Sequence, residues 1–301
     1  MFDVLVCGSL NVDLLARVAR LPSPGETVLG KELQRLPGGK GLNQAIAAAR
    51  MGARAAMVGA IGADADGAWL ASWLAREGVD GSLLSSREAM TTGLAYVCVA
   101  DDGENAIVVH GAANTTLTAD DVRAAVTTLQ PKIALAQLET PPATVAAFLE
   151  AARRNGARTI LNTAPALTDG RDLIALADLV VLNETELAHY ACASSDALVE
   201  ASLKTYADRA RMLGASTVII TLGARGALVV DDREFVHHAA PTVEVIDTTG
   251  AGDCFCGTLA ATLARGATLQ AATVDAIRAA SLAVTRQGAA PAMPYRHELR
   301  E

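Results

Sequence analysis

The run Asp247-Thr248-Thr249-Gly250-Ala251-Gly252-Asp253 gathers the residue types that phosphate chemistry calls for. Apolar Val243 to Ile246 lead into it as an expected strand, and small residues (Cys256, Gly257, Leu259, Ala260, Leu263) follow as an expected helix. Glycines at a strand-to-helix junction let backbone N–H groups point outward at the positive end of the helix dipole, which makes a seat for phosphate oxygens. Asp253 lies in that seat, where an idle carboxylate would repel a phosphate. It gains a use if it takes the proton from a hydroxyl that attacks the phosphorus. A tight turn with a capping Asp is the alternative that these seven residues leave open.

A second cluster, Gly38-Gly39-Lys40-Gly41-Leu42-Asn43-Gln44, stands ahead of an alanine-rich helical stretch, Ala45 to Met51. It is not a Walker P-loop: Gly41 follows Lys40 where Ser or Thr is required, and no glycine stands five residues before Gly39. Glycines at a helix start allow close backbone approach to a ligand, and Asn43, with two donors and an acceptor, can bridge adjacent hydroxyls. A flexible loop with a capping Asn is the plainer possibility.

The remaining elements must position these clusters. With 301 residues, 51% hydrophobic and 19% charged, the chain can bury a large core. Basic residues closing a helix, then glycine, then a short apolar strand, recur three times. The instances are Ala49-Arg50-Met51-Gly52 before Ala56 to Val58, Ala152-Arg153-Arg154-Asn155-Gly156 before Thr159 to Leu161, and Ala210-Arg211-Met212-Leu213-Gly214 before Thr217 to Ile220. Each reads as a helix stop feeding the next strand of a βαβ unit. Ile133 to Leu138, Thr159 to Leu161, Leu179 to Leu182, Val218 to Ile220 and Leu228 to Val230 are almost continuously apolar, as strands covered on both faces are.

The expected fold class is therefore α/β: one three-layer α/β/α domain over residues 1–301 with a mostly parallel central sheet. Val12 to Gln34 and Thr91 to His110 lack helical periodicity and carry hairpin signals, Pro22-Ser23-Pro24-Gly25 and Asp102-Gly103. These segments, about 12–34 and 91–110, are expected to form a small β-sheet lid at the strand ends, one face packed on a substrate or a second subunit. The last ten residues are expected to fray.

The net charge of −8, with no dense basic run, argues against a nucleic-acid or membrane-surface partner. Met1 to Gly8 is apolar without a basic n-region and reads as a first buried strand rather than a signal peptide, and no apolar run reaches membrane-spanning length. Five cysteines (Cys7, Cys98, Cys192, Cys254, Cys256) include no Cys-x-x-Cys pair and fit reduced thiols of a cytoplasmic enzyme. Cys254 falls at a helix N-terminus, where a thiol pKa can drop, although packing of that helix is its plainer role. A dinucleotide oxidoreductase is excluded because Val6-Cys7-Gly8-Ser9-Leu10-Asn11 lacks the Gly-x-Gly-x-x-Gly turn.

Taken in order, the motifs resemble those of the PfkB, or ribokinase, family of sugar kinases over essentially the whole chain. They run from Gly8-Ser9-Leu10-Asn11-Val12-Asp13 through Pro24-Gly25-Glu26-Thr27, the Gly38 to Gln44 cluster with Ala45, Gly52 and Gly62, Thr92-Gly93 and Gly111-Ala112-Ala113-Asn114. Gln137-Leu138-Glu139, Asn183-Glu184-Thr185-Glu186, Thr221 to Gly226, Asp247 to Gly257 and Ala283 to Gly288 follow. The resemblance implies ATP-dependent phosphorylation of D-ribose at its 5-hydroxyl. Alternatives are a relative acting on 2-deoxyribose, another sugar or a nucleoside, and a sugar-binding regulator without catalysis.

By that resemblance Asp253 is the general base, and the backbone of Gly250, Ala251 and Gly252 forms the anion hole. Asn11, Asp13, Gly39, Lys40, Asn43 and Glu139 would hold the sugar. Asn183, Thr221, Gly223, Ala224, Arg225, Gly226, Gly252 and Ile277 would surround the nucleotide, with Glu186 ordering the water shell of Mg²⁺. An acidic protein that binds ATP needs local positive potential from backbone amides, a few Lys and Arg residues and this Mg²⁺. A monovalent cation, K⁺, would sit against the Asp247 carboxylate and the carbonyls of Thr249, Ala283, Arg286 and Gly288. Ala292 stands where many members place Ser at that cation site, and Ile277 where a polar residue is common near the purine. Thr163 replaces a common proline. The partners implied are ribose or a close relative, ATP, and a second copy of the chain joined through the lid as a homodimer.

Overall fold

The computed structural model describes residues 1–192 and 202–300. Its strands are β1 (Val4–Cys7), β2 (Asn11–Val18), β3 (Glu32–Gly38), β4 (Ala55–Gly62), β5 (Asp80–Arg87), β6 (Gly93–Ala100), β7 (Asn105–His110), β8 (Ile133–Ala136), β9 (Arg158–Asn162), β10 (Leu179–Asn183), β11 (Thr217–Thr221), β12 (Ala227–Asp231) and β13 (Phe235–His238). The described α-helices are α1 (Lys40–Arg50), α2 (Ala65–Arg76), α3 (Ala119–Leu129), α4 (Pro142–Arg154), α5 (Arg171–Ile174), α6 (Glu184–Tyr190), α7 (Leu203–Arg211), α8 (Ala251–Ala264) and α9 (Leu269–Ala283).

Nine strands form one sheet in the order β13-β12-β11-β10-β9-β8-β1-β4-β5, parallel from β11 to β5 and antiparallel where β12 and β13 are added. The apolar runs follow from this placement. Along β1, Val4 and Val6 enter one core while Leu5 and Cys7 enter the other; along β10, Leu179 and Val181 part from Val180 and Leu182 in the same way. A strand with helices on both faces has no solvent side, so polar alternation is lost. The three-layer α/β reading holds.

The helix-stop glycines also fall as expected. Gly52, Gly156 and Gly214 each take positive φ (84°, 79° and 80°) just after α1, α4 and α7, where a side chain would clash with the backbone. Strand order reverses at β1, whose neighbours are β4 on one side and β8 on the other. In open α/β sheets ligands collect outside the carboxyl ends of the strands at such a point.

The second sheet has four strands in the order β3-β2-β6-β7, with β2 and β6 parallel and the hairpins Pro22–Gly25 and Asp102–Gly103 closing the antiparallel pairs. Strand β3 extends beyond residue 34 to Gly38, which delivers the chain straight into α1.

Two expectations fail. Val243 to Ile246 is no strand: it runs extended without a ladder, and Val245 and Ile246 are more than half exposed. Its anchorage is at one point, where the N–H groups of Ile246 and Asp247 donate to the Val284 carbonyl (2.8 and 3.2 Å). The anion seat is thus reached from a crossing segment rather than a sheet strand. The C-terminal residues do not fray as expected up to Arg300. Arg50 donates to the carbonyls of Pro291 and Met293, and Ala292 and Met293 are buried.

Candidate active site

Helix α8 is buried from Asp253 to Ala264 because α1 and α9 flank it. Gly257 makes the α1 contact possible: a Cβ there would overlap the Gln44 carbonyl and the Ala47 side chain. The close approach brings the start of α1 against the start of α8. At the α8 N-terminus Gly250 takes a left-handed conformation (φ 75°, ψ 2°), and the Gly39 N-cap of α1 has φ 89°. Each bend needs a residue without a Cβ.

Asp253 sits at this junction, only 6% exposed. Asn43 Nδ2 donates to its Oδ2 and Gln44 Nε2 to its Oδ1, both at 2.9 Å. Burial pushes the Asp253 pKa up, while the Lys40 charge and the Gln44 and Asn43 hydrogen bonds pull against that rise. Lys40 shows the reciprocal effect. Burial disfavours its ammonium, but Asp253, Glu139 and Glu186 outweigh the penalty and keep its pKa above the ordinary lysine value. Each group thus biases the other toward its charged form within a mostly enclosed site, against the burial that opposes both charges.

On the sugar side, Asn11 and Asp13 come from β2, and Glu139 follows β8. Asn114 bonds both Leu10 backbone groups and donates to Asn11 Oδ1 (2.8 Å), which leaves the Asn11 amide hydrogens free to face the cavity. Ser9 Oγ and the Lys40 N–H both donate to Glu139 Oε2 (2.5 and 3.1 Å). Glycine at 38 leaves room for the Asp13 carboxyl, which a Cβ would strike. Burial raises the Asp13 pKa to about 7, reinforced by Glu139 and Asp253 and opposed by Lys40.

Three cavities meet at the anion seat. One of about 720 Å³ lies between the four-stranded sheet and the main sheet and is lined by Asn11, Asp13, Gly39, Lys40, Asn43, Glu139 and Asp253. A second, about 200 Å³, contains Lys40, Asn183, Glu186 and Gly250 to Asp253. The third, about 390 Å³ and mainly apolar, is lined by Thr221, Gly223, Ala224, Gly226, Gly252 and Ile277. Adjacent cavities share residues: Asp253 and Lys40 join the first pair, Thr221 and Gly252 the second.

The Asn183–Glu186 pair forms the capping box its spacing suggests: Asn183 Oδ1 accepts from the Glu186 N–H (2.8 Å), and Glu186 Oε2 accepts from the Asn183 N–H (3.0 Å). Capping does not exhaust it, since Glu186 also lines the central cavity with its pKa raised by burial. Arg225 behaves differently. Its guanidinium leaves the large apolar cavity and pairs with Glu184 (2.6 Å) and Tyr206. Cys254 is buried, and burial drives its thiol to about 12; its role there is packing.

At the cation position, Asp247 accepts from the Thr249 and Gly288 N–H groups, both at 2.9 Å. These bonds outweigh the effect of burial and lower its pKa. Ala283 and Arg286 lie on the neighbouring segment, where the Ala283 carbonyl accepts from the Arg286 N–H (3.0 Å), and Arg286 itself pairs with Glu298. Ala292 lies in the short turn Ala290–Ala292 and offers no side-chain oxygen.

Ser9, Gln44, Asn114, Gln137 and Asn162 received no role from sequence, yet all five are buried and hydrogen-bonded around the site. The available signal was polarity in the wrong place: Gln137 interrupts an apolar strand run, and Gln44 opens an alanine helix.

Fold and site together define a small-molecule kinase of the α/β class. A profile of the pfkB family carbohydrate kinases matches residues 1–296. The chain is 36% identical over 300 residues to the ribokinase of Haemophilus influenzae, covering 98% of this chain and 96% of that one. It is also 36% identical over 302 residues to the ribokinase of Staphylococcus aureus, covering 99% and 98%. The Arabidopsis thaliana ribokinase solved with ribose and ATP superposes with a TM-score of 0.88 at 30% identity, over 99% of this chain and 97% of that one. The chain belongs to the pfkB family of carbohydrate kinases. Among the described residues no helix is long and apolar enough to cross a membrane.

The raised Asp13 pKa has a consequence for stability. Between the ordinary aspartate value of 3.8 and about 7 the unfolded chain carries Asp13 ionised while the folded protein keeps it protonated, so raising the pH favours unfolding. Asp13→Asn removes this linkage. Urea unfolding should show wild type losing stability relative to Asp13→Asn across that window, by up to roughly 1.4 kcal/mol per pH unit, with no further change above it. Parallel pH profiles for the two proteins would show that Asp13 is ionised in the folded state.

Proposed function

We propose that the enzyme phosphorylates D-ribose at its 5-hydroxyl with ATP, giving ribose 5-phosphate and ADP. The observation that carries this reading is the position of Asp253: it lines both the polar cavity beneath the small sheet and the central cavity over the Gly250–Asp253 amides. A hydroxyl from one side and a phosphoryl group from the other meet at its carboxylate. The relatedness to ribokinases over nearly the whole chain supports the choice of sugar.

In this reading Asn11, Asp13 and Glu139 take the secondary hydroxyls of ribose, and Gly39 and Lys40 close over the ring. Polar groups left unpaired by an analogue lacking a hydroxyl supply selectivity. The nucleoside occupies the apolar cavity against Ile277, with Thr221 and the Gly223–Gly226 backbone beside it, and Asn183 flanks the triphosphate. The Asp253 carboxylate accepts the hydroxyl proton as the sugar oxygen bonds to the γ-phosphorus and the bond to the departing ADP oxygen breaks. The N–H groups of Gly250, Ala251, Gly252 and Asp253, the α8 dipole and Lys40 stabilise the charge in transit. Arg225 acts on this loop indirectly, by tying it to Glu184.

Mg²⁺ fits the donor set: Glu186 is a single carboxylate held by its capping bonds at the edge of the phosphate cavity, and Mg²⁺ prefers few carboxylates with waters and phosphate oxygens. Bound there, the ion would neutralise phosphate charge. Asp247, ordered by the Thr249 and Gly288 N–H groups with its pKa lowered, suits K⁺, which would draw on the carbonyls of Thr249, Ala283, Arg286 and Gly288 and order the anion seat. The absence of a hydroxyl at Ala292 makes this site poorer by one ligand.

The small sheet supports a dimer. Ile107, Val108 and Val109 of the edge strand β7 are 51–66% exposed, Ile107 and Val109 on one face and Val108 on the other, an apolar edge that a second copy would cover.

Asp253→Asn should bind sugar and nucleotide as wild type does and lose roughly 10²–10⁴ in kcat. Acceptor profiling should give ribose the highest kcat/KM among ribose, 2-deoxyribose, fructose and adenosine; a preference for adenosine would overturn the sugar assignment. Rates in potassium buffer should exceed those in sodium alone, and equal rates would remove the cation proposal. Sedimentation should return a dimer that Ile107→Asp dissociates; a wild-type monomer at micromolar concentration would exclude it.

A further inference from the structure

Asp253 is not held by substrate-side groups alone. Behind it lies a chain of buried amides from three elements. Gln44, fully buried in the first turns of α1, places one Nε2 hydrogen on Asp253 Oδ1 (2.9 Å) and directs the other to Asn162 Oδ1 (3.1 Å). Its Oε1 accepts from Gln137 Nε2 (2.6 Å), and Asn162 is fixed by donating to the Val181 carbonyl (3.2 Å). Asn43, the preceding residue of α1, takes the second carboxylate oxygen.

The direction of this chain is dictated by chemistry. An ionised carboxylate only accepts, so the Gln44 end that meets it must be the NH₂ group. The Gln44 oxygen is then turned away and demands a donor, which Gln137 provides. Gln137 Oε1 finds no hydrogen-bond partner and lies over Gly8, where any Cβ would strike it. A buried amide oxygen without a partner is unfavourable. Gln137 cannot turn over to relieve it without facing the Gln44 oxygen with its own.

We infer that Gln44 is a positioning residue for phosphoryl transfer: its amide, polarised by Gln137, locks the rotamer of Asp253 and, by donating to Oδ1, favours the carboxylate form that takes a proton. The inference rests on the reading of Asp253 as the base. Other titratable groups also face Asp253: Lys40 from α1, Glu139 beyond β8, Asp13 from β2, Glu186 from α6, and the neutral Cys254 and Cys256 thiols of its own helix. The bonds of Gln44 run to Asp253, Asn162 and Gln137 instead, so a change at Gln44 leaves those contributions in place.

The test is kcat against pH for the full-length enzyme at saturating sugar and Mg-ATP. Gln44→Met should move the acid limb upward by about one to two pH units, as expected for loss of a hydrogen bond to a charged group. The sugar KM should stay within about threefold and the high-pH plateau should approach wild type. Gln137→Met should shift the limb in the same direction by less, and should add nothing in the Gln44→Met background because it acts through Gln44. A loss of kcat that is equal at every pH, or a limb coincident with wild type, overturns the inference. If Gln44→Met does not fold, Gln137→Met decides alone by the same two outcomes. Asp253→Asn separates the two levels: wild-type turnover in that variant sinks the base itself, whereas an inactive Asp253→Asn with an unmoved Gln44→Met limb sinks only the role of Gln44.

Discussion

A carboxyl group buried at the start of an enclosed helix, where its charge is disfavoured, is the costly feature around which this molecule is arranged. Without partners such a group takes up a proton or unfolds its surroundings, since the desolvation of a single charge outweighs several ordinary contacts. Here the cost is offset from four directions: the α8 N-terminus, the Lys40 ammonium, and the amides of Asn43 and Gln44. Each partner lies on an element whose position depends on others. Lys40, Asn43 and Gln44 ride on α1, α1 reaches Asp253 because Gly257 lets two helices touch, and α8 can be enclosed because α9 covers its far side.

The same balance shapes the cavities. Asp13, Glu139, Glu186 and Asp253 converge with a single lysine among them, so the side chains lining the site bring more acid than base. Asp13 meets this excess by holding its proton to near neutral pH; burial raises the Asp253 pKa as well, with Lys40 and the Gln44 and Asn43 amides opposing the rise. Both carboxyls line one polar cavity, and the amide donors of Asn43 and Gln44 go to Asp253. Two acids of one type acquire different chemistry from their surroundings.

Distance from the chemistry correlates with how apolar the walls become. The cavity beside Thr221 and Ile277 is lined mostly by carbon, as suits a flat heteroaromatic base, and is bounded by the exposed crossing segment with Val243 and Val245. That segment spans both large cavities through Val245 and Thr248 before turning at Gly250. It forms no ladder, because the N–H groups of Ile246 and Asp247 bond to the Val284 carbonyl after α9 rather than to a sheet strand.

Much of this was legible in the chain itself. Apolar strand runs, helix-stop glycines and paired hairpin turns are local signals, fixed by backbone geometry and two-sided burial, and they specified the layered α/β class and the small sheet. Glycine-rich junctions carrying Asp253 and Lys40 marked the chemistry for the same reason, since close approach to a phosphate needs backbone without side chains. What sequence left undecided was partnership. Asn43 lines the polar cavity as expected and also donates to Asp253; Arg225 looked like a nucleotide contact and turns to Glu184; Gln44 and Gln137 had no visible purpose. Those choices depend on residues about 40 to 210 positions apart meeting at one point. Only the packed helices and strand ends, by bringing a buried anion and its donors together in a medium that excludes water, settle which bonds are made.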